Sequence, residues 1–454
     1  MKGCSIILRS SVVKNRMKRI ALTILLFVIC SNTALAQSGA LAPRDDSRDP
    51  RRESFDLVWS TVKARHFDPA FGGVDWDAVR RQYEPRVAAV KSDGELHDLL
   101  RQMLGELRQS HFYIMPPEIY GDETSKGPAI GGVGIDLRAI DGAAVVTRVA
   151  AGSSAARAGL RPGFVITQVD ETRIAEASAK ALERLKGREG SPEMTRHIPA
   201  GVALSRIHGK PGTSVRLQYL DDRDQPHDVT LVREPLPGEV APAFGDLPAM
   251  PVDFEMKRLA GGVGYIRFNG FAAPVMAKIR AAVRELSDAA GIIIDLRGNG
   301  GGLAQMPPGI AGLLEQRQTS LGVMRMRAGH LNFAVFPQSN SYNGPVAILT
   351  DFVSMSASEV LAAGMQENGR AVIVGERTRG ATLPAHVKKL PTGALFMFAV
   401  ADYQTPKGVR IEGRGVAPDI EIKHNRAALL SGRDAQLDAA VEAVIKRSGQ
   451  RRER

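Results

Sequence analysis

From Gly262 onward, short apolar runs alternate with segments that have the periodicity of helices. The runs GVGYIRF, GIIIDL, PVAILT and AVIVGE lack the alternation of apolar and polar residues that a half-exposed strand shows. Strands of this kind are buried on both faces, and helical segments such as VMAKIRAAVRELSDA and ASEVLAAGMQEN are available to cover them. The sequence therefore predicts an α/β domain over residues 253–426, with a mixed, largely parallel sheet between helices.

The rest of the chain divides into regions with other patterns. Residues 51–128 have apolar residues at three- and four-residue steps, which predicts an N-terminal helical domain. Residues 129–235 contain short apolar runs bounded by turn residues, which predicts a β-rich domain. Five prolines in residues 235–251 indicate that residues 236–252 are a stiff linker. Residues 427–454 are predicted to be a C-terminal helix with a basic tail.

Residues 1–36 have the pattern of a secretory signal peptide. A basic start is followed by an apolar run at residues 20–30 and by an A-x-A cleavage site at residues 34–36. The apolar run is too short for a permanent membrane span, and residues 37–50 are predicted to be a flexible leader. We therefore expect an exported protein, periplasmic or extracellular.

Charge and cysteine content exclude several classes of protein. The formal net charge is +11, but six Lys/Arg and no acid lie in the predicted signal peptide, and no basic-aromatic face indicates nucleic-acid binding. Both cysteines, Cys4 and Cys30, lie in the same segment, so the mature chain has neither a disulfide nor a thiol for catalysis or zinc binding. No H-E-x-x-H motif is present, and we expect neither a metal nor a cofactor.

A serine lies between a predicted strand and a predicted helix, in the stretch SMSASE at residues 354–359. Ser356 and Glu359 form the S-x-x-E pattern of a capping box, which would give the serine a structural role. A nucleophile is the alternative, because the serine follows the carboxyl end of a buried strand, where open α/β sheets bind ligands. The N–H groups of the helix N-terminus would also stabilise an oxyanion there.

The second unusual stretch is DLRGNGGG, residues 295–302, which directly follows a predicted strand. Three consecutive glycines cost conformational entropy, so they favour a bare backbone that brings N–H groups close to a reacting carbonyl. A tight turn is the simpler interpretation. The stretch lacks the spacing of a phosphate-binding loop.

Together these stretches resemble the C-terminal processing and tricorn-like serine peptidase family. The resemblance rests on the order DLRGNGGG, SASE and GRAVIVGE in the predicted α/β domain. The β-rich domain resembles a PDZ domain, a peptide-binding module, in GGVGIDL and in GSSAARAGLRPGFVITQVDETRI. The resemblance implies that peptides or unfolded proteins are the substrates, and that a peptide carboxylate binds at Gly132, Val133, Gly134 and Ile135. A structural spacer is the alternative role for the β-rich domain.

The residue that takes the serine's proton differs from the pattern of many family members. Those members use a lysine 25 residues after the serine, where this chain has Ala381, and Lys388 does not match that spacing. The stretch GELRQSHFYI resembles the tricorn-like branch, in which a Ser-His pair supplies the base. This resemblance implies Ser110 and His111 in that role, with Glu412 in IEGRGVAPD completing a tetrad.

In the implied mechanism, His111 takes the proton of Ser356 and later gives it to the leaving amine. Ser110 orients His111, and Glu412 acts through Ser110 or a water. The oxyanion would be held by backbone N–H groups near three residues: Gly301, Gly302 and Ala357.

The sequence thus predicts a serine endopeptidase. Two alternatives share the same fold: a peptidase that uses Lys388 or another base, and an inactive peptide-binding protein. A different class of hydrolase has less support, because no G-x-S-x-G pattern surrounds Ser356. Because His111 and Ser356 are 245 residues apart in the sequence, the helical domain must fold over the sheet to bring them together.

Overall fold

The computed structural model describes residues 49–117, 130–185, 195–246 and 249–452. The predicted signal peptide, and the predicted leader up to residue 48, lie outside these ranges. From Pro50 the chain forms one unit. No helix within the described ranges is long and apolar enough to cross a membrane.

Helices fill the region predicted to be the N-terminal helical domain. They are α1 (Pro50–Arg65), α2 (Trp76–Val87) and α3 (Asp93–Gly105). Side chains cap two of them, because Asp75 accepts a hydrogen bond at the start of α2 and Ser92 does so at the start of α3. Their apolar faces meet in a buried cluster that also contains side chains from the α/β region.

A short strand joins the helical domain to the α/β region. β1 (Tyr113–Met115) pairs antiparallel with β20 (Leu395–Ala399), which in turn pairs with β19 (Ala385–Lys389). Its central residue, Ile114, is fully buried. Because β1 starts two residues after His111, this pairing fixes the histidine segment on the α/β region.

The β-rich domain contains a sheet with its own apolar core. The sheet has the strand order β3-β4-β5-β7-β8, with β6 paired to β5, and β2 pairs separately with β9. The strands are β2 (Gly131–Gly132), β3 (Ile135–Ile140), β4 (Ala143–Val149), β5 (Val165–Val169), β6 (Thr172–Arg173), β7 (Ser214–Leu220), β8 (Pro226–Val232) and β9 (Glu234–Pro235). The helices are α4 (Ser154–Arg157), α5 (Ile174–Leu185) and α6 (Ile198–Ile207). Side chains from the strands and from α6 form one buried cluster within the domain.

The segment predicted to be a stiff linker contains a β-hairpin instead. β10 (Glu239–Ala241) and β11 (Met250–Val252) pair antiparallel. Ala241 and Val252 are buried in the main core of the α/β region, so the burial of their apolar side chains favours folding of the segment onto that core. Proline fits here because the hairpin is a separate two-stranded sheet, whose outer edges need no N–H donor. The composition of the segment therefore misled the prediction of a linker.

The α/β region is built on a six-stranded sheet with the order β12-β13-β14-β17-β18-β22. β12 is antiparallel to β13, and the other neighbours are parallel, as predicted from the apolar runs. The strands are β12 (Phe254–Arg258), β13 (Gly264–Phe268), β14 (Ile292–Asp295), β17 (Val346–Thr350), β18 (Ala371–Gly375) and β22 (Ile420–Glu421). A smaller sheet lies beside it, with the order β16-β15-β21: β15 (Thr319–Met326), β16 (Gly329–Val335) and β21 (Asp402–Gln404).

Helices cover both faces of the six-stranded sheet. They are α7 (Ala273–Glu285), α8 (Met306–Gly312), α9 (Ala357–Glu367) and α11 (Ala435–Arg452). The short helix α10 (Arg426–Leu430) packs on the β-rich domain instead, through Leu429. In β14, Ile292 and Ile294 belong to the cluster with α7, α8 and α9, while Ile293 belongs to the cluster with α11. Successive side chains of a strand point to opposite faces, so burial of both faces explains why the central strands do not alternate between apolar and polar residues.

Candidate active site

The stretch SMSASE contains three serines, and the structure separates them by accessibility. Ser354 and Ser358 are fully buried, and each hydroxyl donates to a backbone carbonyl, of Leu296 (2.7 Å) and Asn299 (3.0 Å) respectively. Ser356 is half-buried and lies between β17 and α9. It is therefore the serine of this stretch whose hydroxyl a substrate can reach.

Ser356 has a backbone conformation that residues with a Cβ rarely adopt, with φ 58° and ψ −118°. Two hydrogen bonds hold it there, because its N–H donates to Ala381 O (2.8 Å) and to Glu359 Oε2 (3.1 Å). Strained residues of this kind cluster at functional sites. A sharp strand-to-helix turn also exposes the nucleophile of α/β-hydrolases, although the motif there is different.

The capping box predicted at Ser356 forms on its glutamate side. Glu359 is fully buried and accepts hydrogen bonds from the Ser356 N–H, the Thr378 hydroxyl, Gly380 N (2.7 Å) and Ala381 N (2.9 Å). The Ser356 hydroxyl approaches the Glu359 N–H without forming a capping hydrogen bond of normal geometry. Burial raises the pKa of Glu359 to about 7, against the effect of these donors. The glutamate thus fixes the segment between β17 and α9, residues 351–356, which we call the serine turn. The Ser356 hydroxyl stays available.

The glycine-rich loop, residues 296–302 after β14, lies directly against Ser356. A Cβ on Gly301 would be 2.7 Å from the Cβ of Ser356, and the φ of +92° also favours glycine. The Gly301 N–H donates to Asn299 Oδ1 (2.9 Å), so this predicted oxyanion donor is already engaged. The N–H groups of Gly302 and Ala357 have no acceptor among the residues that the structure describes. These two remain available to an oxyanion.

Ser110, His111 and Glu412 form a hydrogen-bonded cluster. Ser110 Oγ lies 2.7 Å from His111 Nδ1 and 3.0 Å from Glu412 Oε2, and the Ser110 N–H donates to Glu412 Oε1 (2.9 Å). His111 itself has a φ of 60°, an uncommon conformation that histidine tolerates better than most residues. Because Nδ1 is used by Ser110, Nε2 of the ring remains for a second partner.

This cluster is connected to the serine turn through the strand-connecting segment after β18. Thr382 N donates to Glu412 Oε2 (2.9 Å), and the preceding residue, Ala381, accepts the N–H of Ser356. The structure contains no direct hydrogen bond between Ser356 and His111. The Ser110–His111–Glu412 cluster and Ser356 are therefore linked through the backbone of Ala381 and Thr382.

The electrostatic surroundings of His111 keep it neutral. Burial, and secondly the positive charge of Arg379, lower the pKa of His111 to about 4. A neutral imidazole is the form that accepts a proton, so the ring is ready to act as a base at neutral pH. A low pKa also makes His111 a weaker base. When the ring takes up a proton, the hydrogen bonds from His111 to Ser110 and from Ser110 to the Glu412 carboxylate stabilise the charged form and offset part of this weakness.

The alternative base, Lys388, lies elsewhere. It is exposed on β19, where its backbone pairs with Phe396 of β20. Ala381, at the position of the family lysine, is buried, and its backbone N–H and C=O both hold the serine turn. No group of three or more potential metal ligands occurs among the described residues.

A buried ion pair beside the serine turn was not anticipated from the sequence. Asp351, just after β17, accepts from Arg138 Nε of β3 (2.6 Å) and from the N–H groups of Gly298 (3.1 Å) and Ser354 (3.1 Å). Burial acts to raise the pKa of Asp351, but the Arg138 charge and these donors lower it overall. The only sequence signal was an arginine in the short strand IDLRAI, where a charged residue usually marks an exposed face. The pair connects the β-rich domain to both loops that surround Ser356.

Comparison with known proteins agrees with the fold. Residues 262–422 match the model of peptidase family S41, and residues 47–105 match the model of the tricorn protease C1 domain. A carboxyl-terminal-processing protease of Synechocystis is 27% identical over 85% of this chain and 85% of its own length. A putative tricorn protease homolog of Streptomyces coelicolor is 27% identical over 87% of this chain and 32% of that protein.

The fold is also found in a solved structure. The photosystem II D1 C-terminal processing protease superposes with a TM-score of 0.56 at 24% identity, covering 88% of this chain and 98% of that one. The two family models fall on the helical and α/β regions. The chain is therefore a serine-type peptidase with a peptidase family S41 domain at residues 262–422, and it is similar to carboxyl-terminal-processing and tricorn proteases.

Proposed function

We propose that the protein is an exported endopeptidase in which Ser356 is the nucleophile and His111 is the general base. The observation that carries the proposal is the hydrogen-bonded cluster of Ser110, His111 and Glu412, which is attached to the serine turn through Thr382. The exposed position of Lys388 supports the histidine over a lysine base.

Acyl transfer would proceed in two halves. Ser356 Oγ attacks the scissile carbonyl while its proton passes to His111 Nε2, and the carbonyl oxygen becomes an oxyanion held by the N–H groups of Gly302 and Ala357. The imidazolium then protonates the leaving amine, which departs and leaves an acyl-serine. Water, deprotonated by the same imidazole, attacks this ester and releases the second product.

Ser110 and Glu412 act on His111 rather than on the substrate. Ser110 Oγ accepts the Nδ1 proton, which fixes the tautomer that leaves Nε2 free to receive a proton. The Glu412 carboxylate accepts a hydrogen bond from the Ser110 hydroxyl and stabilises the imidazolium through it. Neither residue needs to change its own protonation state.

The β-rich domain would act as a PDZ-like site for peptide ends. The loop of Gly132, Val133, Gly134 and Ile135 leads into β3, which is the edge strand of its sheet and can pair with an extended chain. The pairing of β2 with β9 occupies one side of Gly132 and leaves the β3 edge to the ligand. Export, by cleavage after Ala36, is the part of the proposal that rests on residues outside the described ranges.

Matched serine variants test the nucleophile. Ser356→Ala should lose nearly all peptidase activity, while Ser358→Ala should retain most of it, because the Ser358 hydroxyl only donates to Asn299 O. Activity is measured as kcat/KM on a peptide whose cleavage site has been identified by mass spectrometry, with thermal melts as the folding control. An active Ser356→Ala enzyme, or activity that EDTA abolishes and zinc restores, would contradict the proposal.

A further inference from the structure

An exposed arginine lies next to the serine turn, in the segment that connects β18 to β19. The Arg379 N–H donates to Ser354 O (3.3 Å), and two residues further on, Ala381 O accepts the Ser356 N–H (2.8 Å). The backbone of Arg379 is thus tied to the same turn as the proposed nucleophile.

The side chain of Arg379 is held by an aromatic ring. Its Cζ lies 5.2 Å from the ring centroid of Phe352, which belongs to the serine turn and also stacks with His197 at 4.0 Å. Guanidinium groups bind aromatic faces by cation–π attraction and keep their N–H donors free at the edges. The guanidinium is therefore positioned by the ring without using its hydrogen-bonding capacity.

The charge of Arg379 has no carboxylate partner. Within the described part of the chain Arg379 forms no ion pair, and its side chain is exposed, although neighbouring groups crowd it enough to lower its pKa. The nearby carboxylates are engaged elsewhere: Glu359 accepts from four donors of the serine turn and its flanking segment, and Glu412 accepts from Ser110 and Thr382. A positive charge therefore remains next to the proposed catalytic residues.

Two other arginines beside the serine turn are paired with carboxylates. Arg138 binds Asp351, and Arg297 binds Asp295 and Asp434. These arginines are buried or nearly so and serve the fold. Arg379 differs from them because its guanidinium is accessible and is positioned by Phe352. The guanidinium N–H donors form no hydrogen bond with the described residues.

We propose that Arg379 binds a carboxylate of the substrate close to the scissile bond. The carboxylate is either an acidic side chain or the free C-terminus of a chain cut near its end. The assignment rests on the proposed role of Ser356, because that residue defines where the scissile bond lies. Bidentate binding of a carboxylate by a guanidinium is strong and geometrically specific. Arg379 is then a specificity residue, which gives the peptidase a preference for substrates with a carboxylate at that position.

The test compares peptides that differ in one carboxylate. A peptide with a mapped cleavage site is prepared with Gln or Glu at each position flanking the scissile bond, and each version carries a free or an amidated C-terminus. We expect the wild-type enzyme to favour one carboxylate version by about 10–100-fold in kcat/KM, the range of a hydrogen bond to a charged group. Loss of the preference on Glu→Gln exchange identifies a side chain, and loss on amidation identifies the chain end.

Variants of the arginine decide the assignment. In Arg379→Gln the ratio between the carboxylate peptide and its neutral partner should fall to about one, mostly through a higher KM for the carboxylate peptide, and Arg379→Lys should restore part of it. Arg377→Gln is the matched control, since Arg377 is exposed in the same segment and donates to the Arg414 carbonyl (3.3 Å). It should keep the wild-type ratio.

Three outcomes would overturn the inference. They are a wild-type enzyme without preference for either carboxylate, an unchanged ratio in Arg379→Gln, and an equal loss for all peptides in Arg379→Gln and Arg379→Lys with unchanged thermal melts. Ser356→Ala is measured on the same peptides. If that variant still cleaves them, the proposed nucleophile is wrong, whereas the ratios still report on Arg379.

Discussion

The helical domain and the β-rich domain are attached to the α/β region by different kinds of contact. The helical domain shares one apolar cluster with it, in which Phe55 of α1 and Phe396 of β20 are both fully buried. The β-rich domain keeps its own apolar cluster, and its contacts with the α/β region are largely charged. They include Arg138–Asp351 (2.6 Å), Arg148–Asp253 (3.1 Å), Asp136–Arg267 (3.1 Å) and Arg196–Glu376 (3.0 Å).

The difference explains what each domain can contribute to catalysis. A shared core cannot separate without unfolding, so the helical domain is a fixed support for His111. A domain with its own core and a polar interface can shift without unfolding. Its apolar contact with the C-terminal segment is a small cluster around Leu429. The β-rich domain is therefore suited to bind and release a chain while the catalytic residues stay in place.

The largest effect on stability is expected from a substitution that disrupts the apolar cluster shared by the helical domain and the α/β region. Phe396→Ala should reduce the free energy of unfolding by about 3–5 kcal/mol, because it leaves a cavity between the helical domain and the α/β region. Activity should fall with stability, since the same cluster holds the His111 segment. Chemical denaturation followed by kcat/KM on the folded fraction measures both. Phe244→Ala is the control, because Phe244 is 68% exposed, and a similar loss in that variant would contradict the comparison.

A smaller effect is expected at the charged interface. Arg138→Met leaves the buried Asp351 carboxylate without its cation, and we expect a loss of about 1–3 kcal/mol, less than the roughly 3–5 kcal/mol typical of a broken buried ion pair. The penalty is limited because the β-rich domain can undock and admit water while keeping its core. Limited proteolysis should then cut between the domains before either domain unfolds. Loss of all structure in a single transition at much lower denaturant would show that the two domains do not differ as described.

The smallest effect concerns pH. Since the pKa of His111 is lowered to about 4, its neutral form should persist, and kcat/KM should stay high until the pH falls towards that value. The unfolded chain has the ordinary pKa of 6.5, so the unfolded state binds more protons between these values and stability falls as the pH drops through this window. Arg379→Gln removes one cause of the shift and should move the acid limb of kcat/KM to higher pH.

Arg148→Gln, at the interface of the β-rich domain, is the control for the pH profile because Arg148 pairs with Asp253 and contributes nothing to the shift at His111. Its acid limb should coincide with that of the wild type. An acid limb near pH 6.5 in the wild-type enzyme would show that His111 is not buried as a neutral base.

Patterns along the chain predicted the elements, and resemblance predicted the catalytic candidates. The apolar runs identified the parallel strands because a strand that is buried on both faces has apolar residues at consecutive positions, as in Ile292–Ile294. Ser110, His111 and Glu412 could be named because short motifs surround them, and the structure brings the three together. Their attachment to Ser356 through Thr382 depends on tertiary contacts that no local pattern encodes.

The remaining features depend on partners far away in the sequence. The Arg138–Asp351 pair joins residues 213 positions apart, and neither residue has a neighbour that marks it as buried. The hairpin at residues 239–252 forms because Ala241 and Val252 find room in a distant core, which outweighs the proline content of the segment. The engagement of the Gly301 N–H by Asn299 likewise became visible only with side-chain geometry.

The most direct test of the central claim is the rate at which a fluorophosphonate labels Ser356. This reagent needs a deprotonated serine but no substrate recognition, so the rate reports on the base alone. We predict that His111→Ala slows labelling by about 10²–10⁴-fold while Lys388→Ala leaves it unchanged. Labelling at the normal rate in folded His111→Ala, or its loss in folded Lys388→Ala, would show that the helical domain does not supply the base.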